Sequence, residues 1–167
     1  YLRNGDRPAP HNLYVRPAQL PGAGKAPAQE PRQVGTPPAG GVPTARFDVG
    51  YEAARYSVIW SARDRRWLIT MDGTPVVSTE SGRIAVATIV RQEVKVTTRE
   101  SVEDARGNPS PVAQTVGTGE AVVLRDGKRF AATWSRPTPA SPTRYRTTDG
   151  RALPVADGPV WVFLTPA

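Results

Sequence analysis

The chain has 167 residues, with 18 Pro, 15 Gly, one His, no Cys and a formal net charge of +7. The lack of Cys excludes disulfides, thiolate metal sites and a Cys nucleophile, and no apolar run approaches the ~18 residues of a membrane span. Residues 1–46 carry six Lys/Arg against two Asp/Glu and residues 47–167 carry sixteen against thirteen, so the body is near balance. That distribution argues against a nucleic-acid partner, because nucleic-acid binders cluster their cations.

Residues 1–15 mix apolar and polar positions around a turn-like Asn4-Gly5. Pro8 and Pro10 forbid a helix and hold the backbone extended, and Asn12 suits a capping position. The stretch opens in mid-pattern at Tyr1, as a processed or truncated product would, and is expected to belong to a different structural unit from the body. From Arg16 to Ala45 the composition turns to Pro, Gly and Ala, with seven prolines and few large apolar residues. Such a segment buries too little surface to offset its ordering entropy. It reads as a flexible linker over 16–45, ahead of a body spanning 46–167.

The body begins near Phe47, where one helical turn over Phe47–Ala54 is compatible with the pattern. Arg55–Trp60 alternates as a strand, with Tyr56, Val58 and Trp60 on one face. Trp67–Met71 forms the next strand, and Asp72-Gly73 turns it into Thr74–Ser78. Arg83–Arg99 is the longest regular stretch. Its front half, Ile84–Val90, is apolar on both faces and reads as central, whereas its back half alternates. A run this long exceeds an ordinary strand, which predicts a bend near Arg91–Glu93. Ser101–Ser110 reads as a polar loop.

Val116–Trp134 carries the strongest local signal. Asp126-Gly127 suits a type I′ turn, which needs positive φ at both central residues. The register then pairs Arg125 with Lys128, Val123 with Phe130, Ala121 with Ala132 and Gly119 with Trp134. One face of this hairpin is apolar throughout, and a one-residue slip would scramble it. Gly119 leaves room for the indole opposite. A third Asp-Gly turn at Asp149-Gly150 predicts a hairpin from Arg144–Thr147 to Ala152–Val155. Val160–Leu164 reads as a last buried strand. Three Asp-Gly turns, several short strands and no amphipathic helix predict an all-β fold, an antiparallel sandwich or barrel, with an N-terminal extension and a linker.

Few residues carry an obvious chemistry. His11 is the lone histidine, so a Ser-His-Asp triad would have to use it; holding a local turn with Asn12 is the simpler role. No second His or Cys completes a metal site around it, and no cofactor motif is present. Gly117-Thr118-Gly119 lacks the lysine and the following helix of a phosphate loop. Carboxylate pairs for glycosidic acid/base work have no distinguishing context among Asp64, Asp72, Glu80, Glu100, Glu103, Asp104 and Asp126. Arg63–Arg66, and Arg144 and Arg146 around Tyr145, are candidates for an anionic polymer. Trp60, Trp67, Trp134 and Trp161 fall on strands, which favours core positions over a sugar-stacking platform.

The segment Arg7-Pro8-Ala9-Pro10-His11-Asn12-Leu13-Tyr14 resembles the end of the N-terminal domain of the YerB-like bacterial lipoproteins, whose domains have no established function. Val116–Gly119, Asp126–Lys128, Ala132–Trp134, Asp149-Gly150 and Gly158–Trp161 are similar to that family's C-terminal domain. Trp67–Thr70 stands where members often carry an arginine. The resemblance implies that residues 1–15 are the remnant of an N-terminal domain. It also implies an exported protein anchored to the membrane through a lipid on sequence outside this chain, and it brings no catalytic residues. Two functions remain open. One is a non-catalytic envelope binding or scaffold module that recognises a cell-wall polymer or a protein partner, with Arg7, His11, Asn12 and Trp134 as candidate contacts. The other is an envelope hydrolase or transferase, with a site using His11 between the N-terminal unit and the β domain.

Overall fold

In the computed structural model, the described residues are 2–3, 13–14, 32–80, 82–103 and 109–167. Two compact units divide the chain, Tyr1–Glu30 and Pro31–Ala167. In the first, β1 (Leu2–Arg3) pairs antiparallel with β2 (Leu13–Tyr14).

The second unit is built from strands, with no helix among its described residues. The smaller of its two main sheets centres on the antiparallel meander β4 (Arg46–Gly50), β5 (Arg55–Ser61) and β6 (Arg66–Met71). Of Phe47–Ala54, expected as a helical turn, the first half is strand, because Phe47 and Val49 alternate inward against Val58, and the second half bends, with the Tyr51 N–H donating to the Ala54 carbonyl. Asp72 and Gly73 have φ of 49° and 80°, as a type I′ turn requires. They return the chain into β7 (Thr74–Pro75), while a small separate pair joins β8 (Val77–Ser78) to β9 (Gly82–Arg83). On the far side of β6 lies β10 (Ala85–Val86).

The larger sheet runs β16-β15-β14-β11-β17. Inside it lies β11 (Thr88–Val94), flanked by a strand on each side, in which Thr88, Ile89 and Val90 are all fully buried, as the two-faced apolar run predicts. On one side β11 pairs antiparallel with β14 (Gly117–Arg125), and on the other it pairs in parallel with β17 (Val160–Pro166). That parallel pair departs from the all-antiparallel expectation, and β17 is an edge strand with Val162 42% exposed. β14 and β15 (Lys128–Arg136) form the predicted hairpin in the predicted register, from Arg125↔Lys128 to Gly119↔Trp134. Asp126 and Gly127 hold φ of 51° and 71°. β16 (Arg144–Thr147) pairs with β15.

The third Asp-Gly turn differs from the other two. Only Gly150 has positive φ there. Its N–H donates to the Thr147 carbonyl while the Thr147 N–H donates to Arg151. This is a type I turn closed by a left-handed glycine, the usual three-residue hairpin loop.

The long stretch from Ile84 breaks at Ala87 and at Lys95 rather than at Arg91–Glu93. Beyond Lys95 the chain leaves the sheet as β12 (Val96–Glu103), paired with β13 (Pro109–Ala113) in a two-stranded ribbon whose register shifts between Arg99 and Glu103. This ribbon occupies part of the segment expected to be a loop.

Two cores result. Between the sheets lie Val49, Val58, Trp67, Ile69 and Val86 from one side and Ile89, Leu124 and Phe163 from the other. The opposite face of the larger sheet holds Val90, Val94, Ala121, Val123, Phe130, Ala132 and Trp134, covered in part by Leu153 and Val155. The arrangement is sandwich-like and the sheets do not close into a barrel.

The end of the Pro/Gly/Ala-rich stretch runs along this body as a strap. Val34 bridges Val155 in parallel, and β3 (Val42–Pro43) pairs with Arg129 and Lys128. Its prolines lack N–H groups, and several of its carbonyls accept from the body: Gln33 from the Val155 N–H, Gly35 from Arg125 and Ala39 from Arg151. Gly41 has φ of 80° and lies on the Phe130 ring, where a Cβ would come within 2.6 Å.

Candidate functional site

Beside this strap opens a cleft of about 930 Å3. One wall is Val34–Gly40. The β5–β6 turn supplies Asp64, Arg65 and Arg66, the β14–β15 turn supplies Asp126 and Lys128, and Ala156-Asp157 completes the rim. Both turns are held by local contacts. Arg65 takes a left-handed φ of 50°, and Ser61 donates to Asp64 across the first turn. Gly127 lies against the Trp60 indole, where a Cβ would approach Nε1 to 2.8 Å.

Arg125 holds the cleft together. It is 4% exposed, yet its guanidinium finds three acceptors: the Gly35 carbonyl at 2.8 Å, the Pro154 carbonyl at 2.5 Å and Asp126 Oδ2 at 2.8 Å. A buried cation demands such saturation. The fork geometry of arginine lets one side chain join the strap, the Leu153–Val155 segment and the hairpin turn. Sequence reading treats Arg125 only as a hairpin position, since nothing local marks its burial. At the rim, the Arg65 and Lys128 side chains have no ion-pair or hydrogen-bond partner among the described residues. Asp126 is paired with Arg125, Asp64 is engaged by Ser61, and Asp157, like Arg65 and Lys128, has no side-chain partner among the described residues.

A second, aromatic cleft of about 360 Å3 is lined by Tyr51, Ala54, Tyr56, Trp161, Val162 and Phe163. Its rings form a chain: Tyr51 to Tyr56 at 5.9 Å edge-on, Tyr56 to Phe163 at 5.0 Å, and Phe163 to Trp161 at 6.1 Å. The Tyr51 hydroxyl donates to the Leu164 carbonyl, tying the segment after β4 to the edge strand.

The residues proposed from sequence fall in different places. Arg7, His11 and Asn12 lie outside the described residues. Trp134 is 3% exposed and donates its indole N–H to the Glu93 carbonyl. It passes over Gly119, where a Cβ would meet Nε1 at 2.6 Å, so the indole is packed into the sheet. Trp67 is likewise core, whereas Trp60 and Trp161 are half-buried. Tyr145, flanked by two arginines, is buried and donates to Gln92 Oε1; burial pushes its hydroxyl pKa up to about 12. Among the described residues no group of three His, Asp or Glu is placed to hold a metal.

The C-terminal domain of the DUF3048 proteins, a family of unknown function, matches residues 46–162. The chain belongs to this family. The DUF3048 domain here also resembles the crystal structure of the YerB protein from Bacillus subtilis, with a TM-score of 0.61 and 16% identity over 82% of this chain and 44% of that one. At that identity the likeness concerns the fold, and the chain spans less than half of YerB's length. No curated protein matches. The YerB-like resemblance read from Val116–Trp161 thus agrees with both the family and the architecture.

Proposed function

We propose that this DUF3048 domain is a non-catalytic binding or scaffold module of the bacterial envelope, with a cell-wall polymer ahead of a protein partner as its ligand. The observation that carries this reading is the cleft walled by the strap, in which Arg65 and Lys128 stand unpaired among the described residues above a fixed floor. The lining sets Arg65, Arg66, Arg125 and Lys128 against Asp64, Asp126 and Asp157, a net charge of +1, and the cations at its rim suit the carboxylates and phosphates of a cell-wall polymer. The reading includes an extracytoplasmic position, with a lipid anchor on sequence outside this chain; the resemblance at residues 7–14 and 116–161 supports that part. The remainder of the N-terminal domain is a further partner under the same reading.

The test is co-sedimentation of the purified chain with cell-wall sacculi, with and without their attached anionic polymers. Retention is expected to weaken as salt rises, because exposed charges are screened over roughly 10 Å at 0.1 M. Arg65→Glu combined with Lys128→Glu is expected to reduce it. Saturable turnover of an envelope substrate, abolished by His11→Ala without a fall in melting temperature, would instead establish the catalytic alternative.

A further inference from the structure

Four rings gather at one sheet edge, where Tyr51, Tyr56 and Trp161 pack against the core that contains Phe163 and keep part of their surface accessible. These three are half-buried, and Phe163 between them is 3% exposed. No charged side chain lines this cleft, so an ionic ligand finds nothing there to neutralise it. Its walls are nevertheless not wholly apolar. The Trp161 indole N–H and the Tyr56 hydroxyl have no hydrogen-bond partner among the described residues, and neither is a sealed orphan. Tyr51 spends its proton on the Leu164 carbonyl, and its oxygen retains acceptor capacity.

These features discriminate between ligands. A purely hydrocarbon ligand would cover the indole N–H and the Tyr56 hydroxyl without satisfying them, at a cost for each. A water-like ligand would leave the ring faces unused. A saccharide ring meets both demands, because its C–H face lies against the negative face of an aromatic ring and its equatorial hydroxyls reach donors and acceptors at the rim. The volume of about 360 Å3 is at the small end of the ~300–1,000 Å3 usual for ligand sites, which suits a short stretch of glycan rather than a folded partner.

We infer that the cleft between Tyr51, Tyr56, Trp161 and Phe163 is a binding subsite for a neutral saccharide ring. The inference rests on the reading of the domain as a cell-wall polymer binder and names the sugar-recognising part of it. It is separate from the charged cleft, since the two share no lining residue.

The experiment is calorimetric titration of the full chain with a β-1,4-linked N-acetylglucosamine tetramer, with a neutral β-glucan oligomer of similar length as the second probe. Saturable binding of at least one is expected. Trp161→Ala is expected to weaken it by about tenfold or more. Because loss of a half-buried indole can also perturb the fold, Tyr56→Phe provides the second variant. It keeps the ring and is expected to weaken binding several-fold with an unchanged melting temperature. Arg65→Glu with Lys128→Glu is expected to leave oligosaccharide binding unaltered. Absence of saturable binding to both probes overturns the inference, as does binding that neither Trp161→Ala nor Tyr56→Phe alters. If the chain still sediments with sacculi in either of those cases, the binding-module reading survives and only the sugar subsite falls. If sedimentation is lost as well, both fall. An aromatic peptide that binds where the saccharides do not also overturns it.

Discussion

Trp134 and Gly119 act as one feature. The indole crosses β14 only because Gly119 has no side chain, and it reaches the Glu93 carbonyl at 2.8 Å on the next strand. Gly119→Ala forces a Cβ to within 2.9 Å of that carbonyl oxygen, and the loss is expected to be about 1–3 kcal/mol. Trp134→Ala is expected to cost about 3–5 kcal/mol; chemical denaturation measures both. A loss below about 1 kcal/mol for Trp134→Ala would contradict its burial. The two type I′ turns offer an internal comparison. A Cβ on Gly73 meets nothing within 4 Å, so Gly73→Ala carries only the left-handed strain of about 1–2 kcal/mol. Gly127→Ala adds a collision with Trp60 and is expected to be the more destabilising of the pair. Tyr145 sets an alkaline limit. Its hydroxyl pKa is raised by burial from 10.0 to about 12, so its contribution is complete below pH 10 and is lost as the pH climbs through about 12. Tyrosinate absorbance during alkaline titration should show Tyr145 ionising together with unfolding.

At the scale of an element, the strap and the Thr147–Arg151 hairpin both depend on arginines. Arg125→Met leaves the Gly35 and Pro154 carbonyls without their donor, and the expected loss is about 1–3 kcal/mol. Hydrogen exchange should localise the effect, with amides of residues 33–43 losing protection before those of β14 and β15. At the hairpin, Asp149 accepts from Thr147 and pairs with Arg151 at 2.7 Å. The Arg151 hydrogen bond, then that of Thr147, lowers its carboxyl from 3.8 to about 2. The stabilisation is therefore present above pH 4 and lost as the pH falls toward about 2. Chemical shifts of the Thr147–Arg151 amides should titrate in that window, and Asp149→Asn should abolish the titration.

For the whole molecule, the family match begins at residue 46, yet the compact unit begins at Pro31. A fragment spanning 46–167 is expected to be less stable than one spanning 31–167, and to bind a hydrophobic dye through the exposed Phe130 face. Equal melting temperatures for the two fragments would show that the strap contributes nothing. What was legible in the residues was local. The Asp126-Gly127 turn and the alternation about it specify the β14–β15 register, because turn chemistry and side-chain parity act within a few residues. Apolarity on both faces of Ile84–Val90 announces burial, which Thr88–Val90 show in β11, but not the break at Ala87 that sends Ala85-Val86 to the edge of the other sheet. Pairings set by distant surfaces were not legible. Nothing near Val160 says that it runs parallel to Thr88, so the last strand reads as buried when it is an edge. The strap reads as linker because its own residues are poor in apolar surface; its seat comes from Arg125, Arg151 and the Phe130 ring. The two clefts share that origin, since one is closed by a strap more than 80 residues from its Arg125 latch and the other joins Tyr51 to Trp161. Periodicity and turn chemistry thus define the strands and their faces, whereas the choice of partners belongs to packing, because hydrophobic burial rewards any complementary surface and is blind to sequence distance.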